Sequence, residues 1–173
     1  MTNGSSDLWV FGYGSLMWRP GFPFVESHVA TIRGYHRALC IYSFVHRGTK
    51  EKPGLVLGLD RGGACRGVVF RIAGETADAT LTYLRERELV TNVYREVRVT
   101  AQLDEGRRVT CITYVADRAH EQYAGRLSEA ELLRLVSQGH GISGSNLEYV
   151  RNTHQHLVEL GIKDRASLKI LNI

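Results

Sequence analysis

The stretch WVFGYGSLMWRP, residues 9–20, decides between two classes of fold. It begins as a hydrophobic strand that ends at Gly12, and a loop rich in glycine and proline follows. A dinucleotide-binding βαβ unit would need a third glycine at position 17 and a helix after the loop. The chain has Met17 there, and the next regular segment is strand-like. The stretch is therefore not the fingerprint of a doubly wound dinucleotide-binding fold, and without Gly-Lys-Ser/Thr it is not a phosphate-binding loop of the NTPase type either.

The remaining segments predict an α+β domain with a largely antiparallel, barrel-like sheet. Strand-type runs dominate the first two thirds of the chain, and helical periodicity appears in the middle and at the end. The turn RGG predicts one hairpin and the charged turn DEGRR predicts another. The predicted strands are Leu8–Phe11, His28–Arg33, Tyr35–Phe44, 54–60, 65–72, 95–103 and 109–116, and the predicted helices are 76–90, 129–139 and 147–160.

Polar residues predict where these helices begin. Thr76 is the predicted N-cap of the first helix. Ser128, with Glu131 three residues later, forms the capping-box pattern at the start of the second. Either Ser145 or Asn146 is predicted to cap the last helix, which should end before Gly161.

Composition sets the broad class of the protein. The chain has 173 residues, 43% of them hydrophobic, which suits a single globular domain over 8–173 after a short flexible tail, 1–7. The net charge of +4 is scattered and forms no basic stripe, which argues against a nucleic-acid partner. Three widely spaced cysteines suggest reduced thiols in the cytosol. Neither a signal segment nor a membrane-spanning run is visible, so we expect a cytoplasmic protein without a membrane partner.

The glycine-containing loop after the first strand has two interpretations. It could be a tight structural turn, which general considerations favour. It could also present successive backbone N–H groups to an anion, because Gly12 and Gly14 add little bulk. In that case Ser15 would add a hydroxyl donor and Tyr13 a phenol.

The helix at 76–90 places a carboxylate on its apolar face. At 100° per residue, Glu88 lies in line with Ala77, Leu81 and Leu84, whereas Glu86 points away. Partial burial and the negative end of the helix should both raise the pKa of Glu88, which suits a general acid and base. The alternative is an ion pair with an arginine at positions 85, 87 or 95, and the pattern alone does not choose between them.

Other kinds of site are weakly supported or excluded. The closest histidine pair, His154 and His156, lies two residues apart on a helix and so points to different sides, and no metal-ligand spacing occurs. Ser15 lacks the G-x-S-x-G context of a hydrolase nucleophile. Arg47, in the long polar loop at 46–54, could bind a substrate carboxylate or could be a solvated charge.

Four motifs together resemble the ChaC family of γ-glutamylcyclotransferases, enzymes that act on glutathione. They are WVFGYGSLMW (9–18), HRGTKEKPGLVLGL (46–59), YLRERE (83–88) and GISGSNLEYV (141–150), in the family's order. The resemblance implies a small mixed, mostly antiparallel β-barrel flanked by helices. It implies that Glu88 is the acid/base and that the polar 46–54 loop covers the substrate. The substrate-binding residues that it implies are Val10, Phe11, Gly12, Tyr13, Gly14, Ser15, Leu16, Arg47 and Tyr149.

The activity that this resemblance implies is cleavage of glutathione to 5-oxoproline and Cys-Gly. The substrate's own α-amine attacks its γ-carbonyl, so the reaction needs neither an enzyme nucleophile nor a metal or other cofactor. Two alternatives stay open: the same reaction on another γ-glutamyl amine or dipeptide, and a non-catalytic module that binds γ-glutamyl groups. The position of Glu88 argues against the second.

Overall fold

A computed structural model describes residues 6–89 and 91–171 of the chain. Their contacts divide them into two compact units. The first contains the residues up to His36 together with Arg61–Val115, and the second contains Arg37–Asp60 together with the residues from Ala116 onward. The prediction of one domain over 8–173 stays a prediction, and residues 1–5 of the predicted tail lie outside the described residues.

Five strands form a closed mixed barrel in the order β1-β3-β2-β4-β5. β1 pairs antiparallel with β3, where Gly12 lies opposite Val68, and parallel with β5, where Val10 lies opposite Ile112. β2 pairs antiparallel with β4. The predicted α+β class with a mostly antiparallel barrel is therefore confirmed. The strands are β1 (Leu8–Gly12), β2 (Glu26–Ser43), β3 (Gly54–Ile72), β4 (Tyr94–Leu103) and β5 (Arg108–Ala116).

Two predicted breaks in the sheet are wrong. The segments 54–60 and 65–72 do not form a hairpin at RGG but belong to one strand, β3, in which Gly62 and Gly63 have φ values of 102° and 70°. The two strands predicted on either side of Gly34 are likewise one strand, β2, with a φ of 94° at that glycine. Glycines at positive φ occur both in hairpin turns and in strand irregularities, so the sequence pattern does not separate the two.

Helix α1 (Gly74–Glu88) begins with a cap supplied from outside the helix. The prediction that Thr76 caps this helix is wrong, because the N-cap residue is Ala73, which makes no side-chain capping bond. Instead Asp7 accepts a hydrogen bond from the Gly74 N–H at 3.0 Å and forms an ion pair with Arg71 at 2.6 Å. A carboxylate at this end of the helix is favoured by the exposed N–H groups and by the helix dipole.

The second unit is mainly helical in its C-terminal part. It contains α2 (Glu129–Gln138), a two-stranded ribbon of β6 (His140–Gly141) and β7 (Gly144–Ser145), α3 (Asn146–Glu159) and α4 (Arg165–Leu171). Ser128 and Ser145 both accept the predicted capping bonds, from Glu131 N–H and Glu148 N–H. Its buried apolar residues include Ile41, Leu55, Leu59, Val136, Val150 and Leu157.

All three cysteines are buried and free of disulfide bonds. Burial raises the pKa of the Cys40 thiol to about 12 and that of Cys111 to about 12. At neutral pH both are therefore protonated thiols that pack as small apolar side chains. None of the helices in the described part of the chain is long and apolar enough to cross a membrane.

Candidate active site

Glu88 is the last residue of α1, and its side chain is 17% exposed. The helix buries Ala77, Thr80 and Leu84 on one face, while Glu86 is exposed. The predicted orientation of the two glutamates is therefore confirmed. The helical period brings Glu88 to the buried side because it follows Ala77 by eleven residues, close to three full turns.

Burial dominates the electrostatics of this carboxylate. It raises the pKa of Glu88 above the usual value of 4.5, and the positive charge of Arg87 opposes the rise. The Arg87 Nε lies 3.6 Å from Glu88 Oε1. Arg85, another predicted partner, pairs instead with Glu96, its Nε and Nη2 lying 3.1 and 3.0 Å from the two carboxylate oxygens. Both predicted interpretations of Glu88 therefore apply. Its carboxylate is partly desolvated, and it also faces one arginine, Arg87.

The loop after β1 turns sharply back on the strand end. Residues 15–17 form one turn of 3-10 helix, with a hydrogen bond from Met17 N–H to Gly14 O of 2.9 Å. The N–H groups of Ser15 and Leu16 precede that bond, so the turn itself does not use them. A side chain on Gly12 would place its Cβ only 3.0 Å from Leu16 Cβ, so this fold of the loop favours glycine there.

The predicted binding residues of this segment differ in their accessibility. Val10 and Phe11 are fully buried in the barrel, and the Phe11 carbonyl accepts a hydrogen bond from the Thr113 hydroxyl at 3.0 Å. Tyr13 and Leu16 are also buried, with 8% and 6% exposure, whereas Ser15 is exposed. Val10 and Phe11 could therefore act on a ligand only through their backbone or by supporting the loop.

Arg87 connects this loop to the helix that carries Glu88. Its Nη2 donates to Ser15 Oγ at 3.0 Å, and its Nη1 donates to the carbonyls of Arg19 and Pro20 at 2.8 and 3.3 Å. Nη1 also lies 3.1 Å from the hydroxyl of Tyr83, one turn earlier in α1. The structure thus brings Ser15 and Glu88, two predicted site residues, to neighbouring nitrogens, Nη2 and Nε, of one guanidinium group.

Arg47 and Tyr149 meet in the second unit. The Arg47 guanidinium lies 5.5 Å above the centre of the Tyr149 ring, and its Nη1 donates to the Ser145 carbonyl at 3.2 Å. The Tyr149 hydroxyl accepts a hydrogen bond from Leu57 N–H at 3.0 Å, and burial raises the pKa of this phenol to about 12. Arg47 is therefore held by a cation–π contact and a backbone carbonyl, which does not fit a freely solvated charge.

A buried asparagine fixes the start of the helix that carries Tyr149. Asn146 is fully buried, and its side chain accepts a hydrogen bond from Leu55 N–H at 2.8 Å and donates one to Leu55 O at 2.7 Å. These are the two hydrogen bonds that a residue of a neighbouring strand would otherwise make with Leu55 of β3. They set the position of α3 and with it the position of Tyr149 in the second unit.

Sequence reasoning named Arg87 only as one of three possible partners for Glu88, and it missed the contacts with the loop. Tyr83 and Arg87 are four residues apart in α1, so they had to share a face with each other. The carbonyls of Arg19 and Pro20 carry no comparable signal, because any residue provides a backbone acceptor.

Comparison with known proteins gives a family match over almost the whole chain. The sequence model of the family described as ChaC-like protein matches residues 8–172. The chain is 38% identical over 157 residues to the glutathione-specific gamma-glutamylcyclotransferase of Escherichia coli (strain K12), covering 91% of this chain and 68% of that one. It is 37% identical over 147 residues to glutathione-specific gamma-glutamylcyclotransferase 1 of Homo sapiens, covering 83% and 66%. The chain spans about two thirds of the length of these two relatives.

A solved structure agrees with this match. The yeast gamma-glutamyl cyclotransferase specific to glutathione, in its selenomethionine-labelled crystal form, superimposes with a TM-score of 0.83. The alignment covers 97% of this chain and 96% of the yeast chain at 25% sequence identity. The family match, over residues 8–172, includes α1 with Glu88 and the loop after β1, and the structural match covers nearly the whole chain.

Proposed function

Because the chain belongs to the ChaC-like protein family, we propose that it is a γ-glutamylcyclotransferase that cleaves glutathione to 5-oxoproline and Cys-Gly. The observation that carries the proposal is the Glu88 carboxylate, partly buried and tied through Arg87 to the loop after β1. The names of the bacterial, human and yeast relatives support glutathione as the substrate.

The proposed reaction needs positioning and proton transfer more than a reactive enzyme group. The α-amine of the γ-glutamyl residue attacks its own γ-carbonyl carbon, and a five-membered lactam closes as the amide bond to cysteine breaks. Because nucleophile and electrophile belong to one substrate molecule, the protein lowers the barrier mainly by holding the chain in a bent, reactive conformation. The reaction is an intramolecular acyl transfer that releases Cys-Gly without water, so the enzyme would be a lyase and not a hydrolase.

Glu88 is the proposed general acid and base. As a carboxylate it accepts a proton from the attacking amine, and as a carboxylic acid it returns a proton to the leaving amide nitrogen. A pKa raised by burial suits both roles, because the group then changes protonation state at a smaller free-energy cost near neutral pH. Exposed Glu86, two residues earlier, has no comparable environment.

The loop of residues 12–16 is the proposed cradle of the γ-glutamyl group. Negative charge develops on the γ-carbonyl oxygen during ring closure, and the substrate also carries an α-carboxylate. Backbone N–H groups of the loop and the hydroxyl of Ser15 can donate to such oxygens. Tyr13 and Leu16, which are largely buried, support the shape of the loop from the protein side.

Arg47 and Tyr149 are proposed to bind substrate as well. If Arg47 pairs with a substrate carboxylate, Arg47→Gln should raise KM for glutathione at least tenfold and change kcat by less than threefold, because a charged hydrogen bond contributes about 1.5–3 kcal/mol. Steady-state assays of 5-oxoproline release measure both constants. Arg151→Gln, which removes an exposed arginine from α3, is the control and should change neither. An unchanged KM in Arg47→Gln would remove Arg47 from the binding site.

The direct test of the function is incubation of the purified protein with glutathione, followed by mass measurement of 5-oxoproline and Cys-Gly. Parallel reactions contain γ-glutamyl-alanine or oxidised glutathione. We expect both products from glutathione and much less 5-oxoproline from γ-glutamyl-alanine. If 5-oxoproline release from γ-glutamyl-alanine equals or exceeds that from glutathione, the enzyme acts on a broader class of γ-glutamyl substrates. Binding of glutathione without either product would support the non-catalytic alternative.

We also propose that the protein works in the cytoplasm without a nucleic-acid partner. Three free, buried thiols are typical of a reducing compartment. The scattered charge of the sequence supports the second part of the proposal.

A further inference from the structure

Arg87 contacts both parts of the proposed catalytic machinery, although no step of the reaction requires it. Its Nη2 donates to Ser15, its Nη1 donates to the carbonyls of Arg19 and Pro20 at the far end of the loop, and its Nε faces Glu88. Its side chain is 22% exposed, so it occupies the boundary between the protein interior and solvent. The following inference rests on the proposed function of Glu88 and the loop.

The bond to Ser15 has a direct consequence for the serine hydroxyl. Arg87 Nη2 can only donate, so Ser15 Oγ must be the acceptor of this 3.0 Å bond. The hydroxyl proton of Ser15 then points elsewhere and can be donated to another oxygen. Since Ser15 is exposed, that oxygen can belong to a ligand. Arg87 therefore fixes Ser15 as a donor, the polarity that an anionic substrate group requires.

The bonds to Arg19 O and Pro20 O hold the far end of the same loop. With the bond to Ser15, the rigid, planar guanidinium of Arg87 therefore makes three contacts with residues 15–20. Within the loop, Met17 N–H and Arg19 N–H bond back to Gly14 O and Ser15 O at 2.9 and 2.7 Å. The guanidinium thus ties an already compact turn to α1, the helix that carries Glu88.

The contact with Glu88 is electrostatic rather than a short hydrogen bond. Arg87 Nε lies 3.6 Å from Glu88 Oε1, and its charge lowers the pKa of Glu88 against the effect of burial. Tyr114 on β5 also interacts electrostatically with Glu88, and its hydroxyl donates to Glu96 on β4 at 2.9 Å. Glu96 in turn pairs with Arg85. In the described part of the chain, Arg87 is the cation placed to favour the ionised form of Glu88.

We propose that Arg87 is a positioning residue of the cyclisation, which holds the Ser15 hydroxyl and the loop of residues 12–20 in fixed register with the Glu88 carboxylate. Its role is to act through Ser15 and Glu88, not to touch the reacting atoms. A lysine at this position would keep the charge but could not make the three contacts with the loop, because its ammonium group is a point donor without a planar fork.

The test compares Arg87→Met and Arg87→Lys with the wild type, and Arg85→Met is the control. Arg85 lies on the same helix and makes a two-bond ion pair with Glu96, which the substitution removes, but Arg85 does not contact the loop. We expect Arg87→Met to lower kcat about 10- to 100-fold, because small errors in placement cost that much. The acid limb of its pH profile of kcat/KM should also move to higher pH, because Glu88 without the cation stays protonated to a higher pH.

Arg87→Lys should keep the acid limb near that of the wild type and still lose about tenfold in kcat. Arg85→Met should lower thermal stability and leave kcat and the acid limb unchanged. If Arg87→Met keeps kcat within twofold and the wild-type acid limb at temperatures where it is folded, Arg87 is only structural and the proposal is wrong.

Two measurements on the protein without substrate separate this proposal from the proposed function. Carboxyl-carbon NMR of Glu88 should show a higher pKa in Arg87→Met than in the wild type and in Arg85→Met. Amide exchange at Met17 and Arg19 should be faster in Arg87→Met and Arg87→Lys. If the wild type is inactive on every γ-glutamyl substrate, the proposed function fails. Unchanged Glu88 titration and loop exchange in Arg87→Met would overturn the Arg87 proposal whether or not the protein is active.

Discussion

Replacing Glu88 by glutamine is expected to lower kcat for glutathione by about 10²–10⁴, because the substitution removes proton transfer in both directions and keeps the shape of the side chain. A glutamine can neither accept the proton of the attacking amine nor deliver one to the leaving nitrogen. Release of 5-oxoproline under saturating glutathione measures the loss. Glutathione binding, followed by calorimetry, should change little, since the loop of residues 12–16 and its tie to Arg87 are retained.

Glu86→Gln is the matched control, because it removes a carboxylate from the same helix at an exposed position. It should leave kcat within twofold of the wild type. If Glu88→Gln keeps more than a tenth of the wild-type kcat, Glu88 is not the acid/base. Equal losses in both variants would indicate that the helix, and not this carboxylate, is sensitive to substitution.

The Glu88→Gln variant should also be more stable than the wild type at neutral pH. Burial raises the pKa of Glu88 in the folded protein, so this group costs stability as pH rises from its unfolded value of 4.5 through its folded value, and the full cost is present above that. Glutamine removes this cost. Thermal unfolding should show a higher Tm for Glu88→Gln at pH 7, roughly 2–4 °C for each kcal/mol gained, and no difference well below pH 4.

The second large effect concerns Asn146. Asn146→Ala should reduce the free energy of unfolding by about 3–5 kcal/mol, because it leaves both Leu55 N–H and Leu55 O without a partner in a fully buried position. It also leaves a void where the amide was. Denaturant unfolding measures the change. Asn152→Ala, at an exposed position on α3, should change the free energy by less than about 0.5 kcal/mol.

Asn146→Asp provides a second check, since it keeps the size of the side chain. A carboxylate still accepts from Leu55 N–H but cannot donate to Leu55 O, so it should also destabilise the protein. A change below 1 kcal/mol in Asn146→Ala would mean that water or a shift of α3 replaces the lost bonds. It would then remove the argument that Asn146 determines the position of Tyr149.

Periodicity was sufficient to predict the part of the site that depends on one helix. Glu88 and Glu86 differ in burial because of their angular positions on α1, which sequence spacing determines. The capping serines, Ser128 and Ser145, were predictable for the same reason, since each bonds to an N–H three residues away. Local rules of this kind depend only on the chain's own geometry.

Contacts between distant segments were not predictable in this way. Asp7 caps α1 from 67 residues away in sequence, so Thr76, a suitable residue nearby, was the wrong choice. The pattern at Gly62 and Gly63 fitted a hairpin turn and an irregular strand equally well, and the pairing partners decided between them. The contacts of Arg87 with Arg19 O and Pro20 O depend on the path of a loop and on no particular side chain.

The three buried cysteines have a consequence for a protein that handles a thiol tripeptide. Mixed disulfides form when a protein thiolate attacks oxidised glutathione, and the rate follows the fraction of thiolate and its access to solvent. Cys40 and Cys111, with pKa values of about 12, present almost no thiolate at neutral pH, and Cys65 is 3% exposed. The protein should therefore resist glutathionylation when the glutathione pool becomes oxidised.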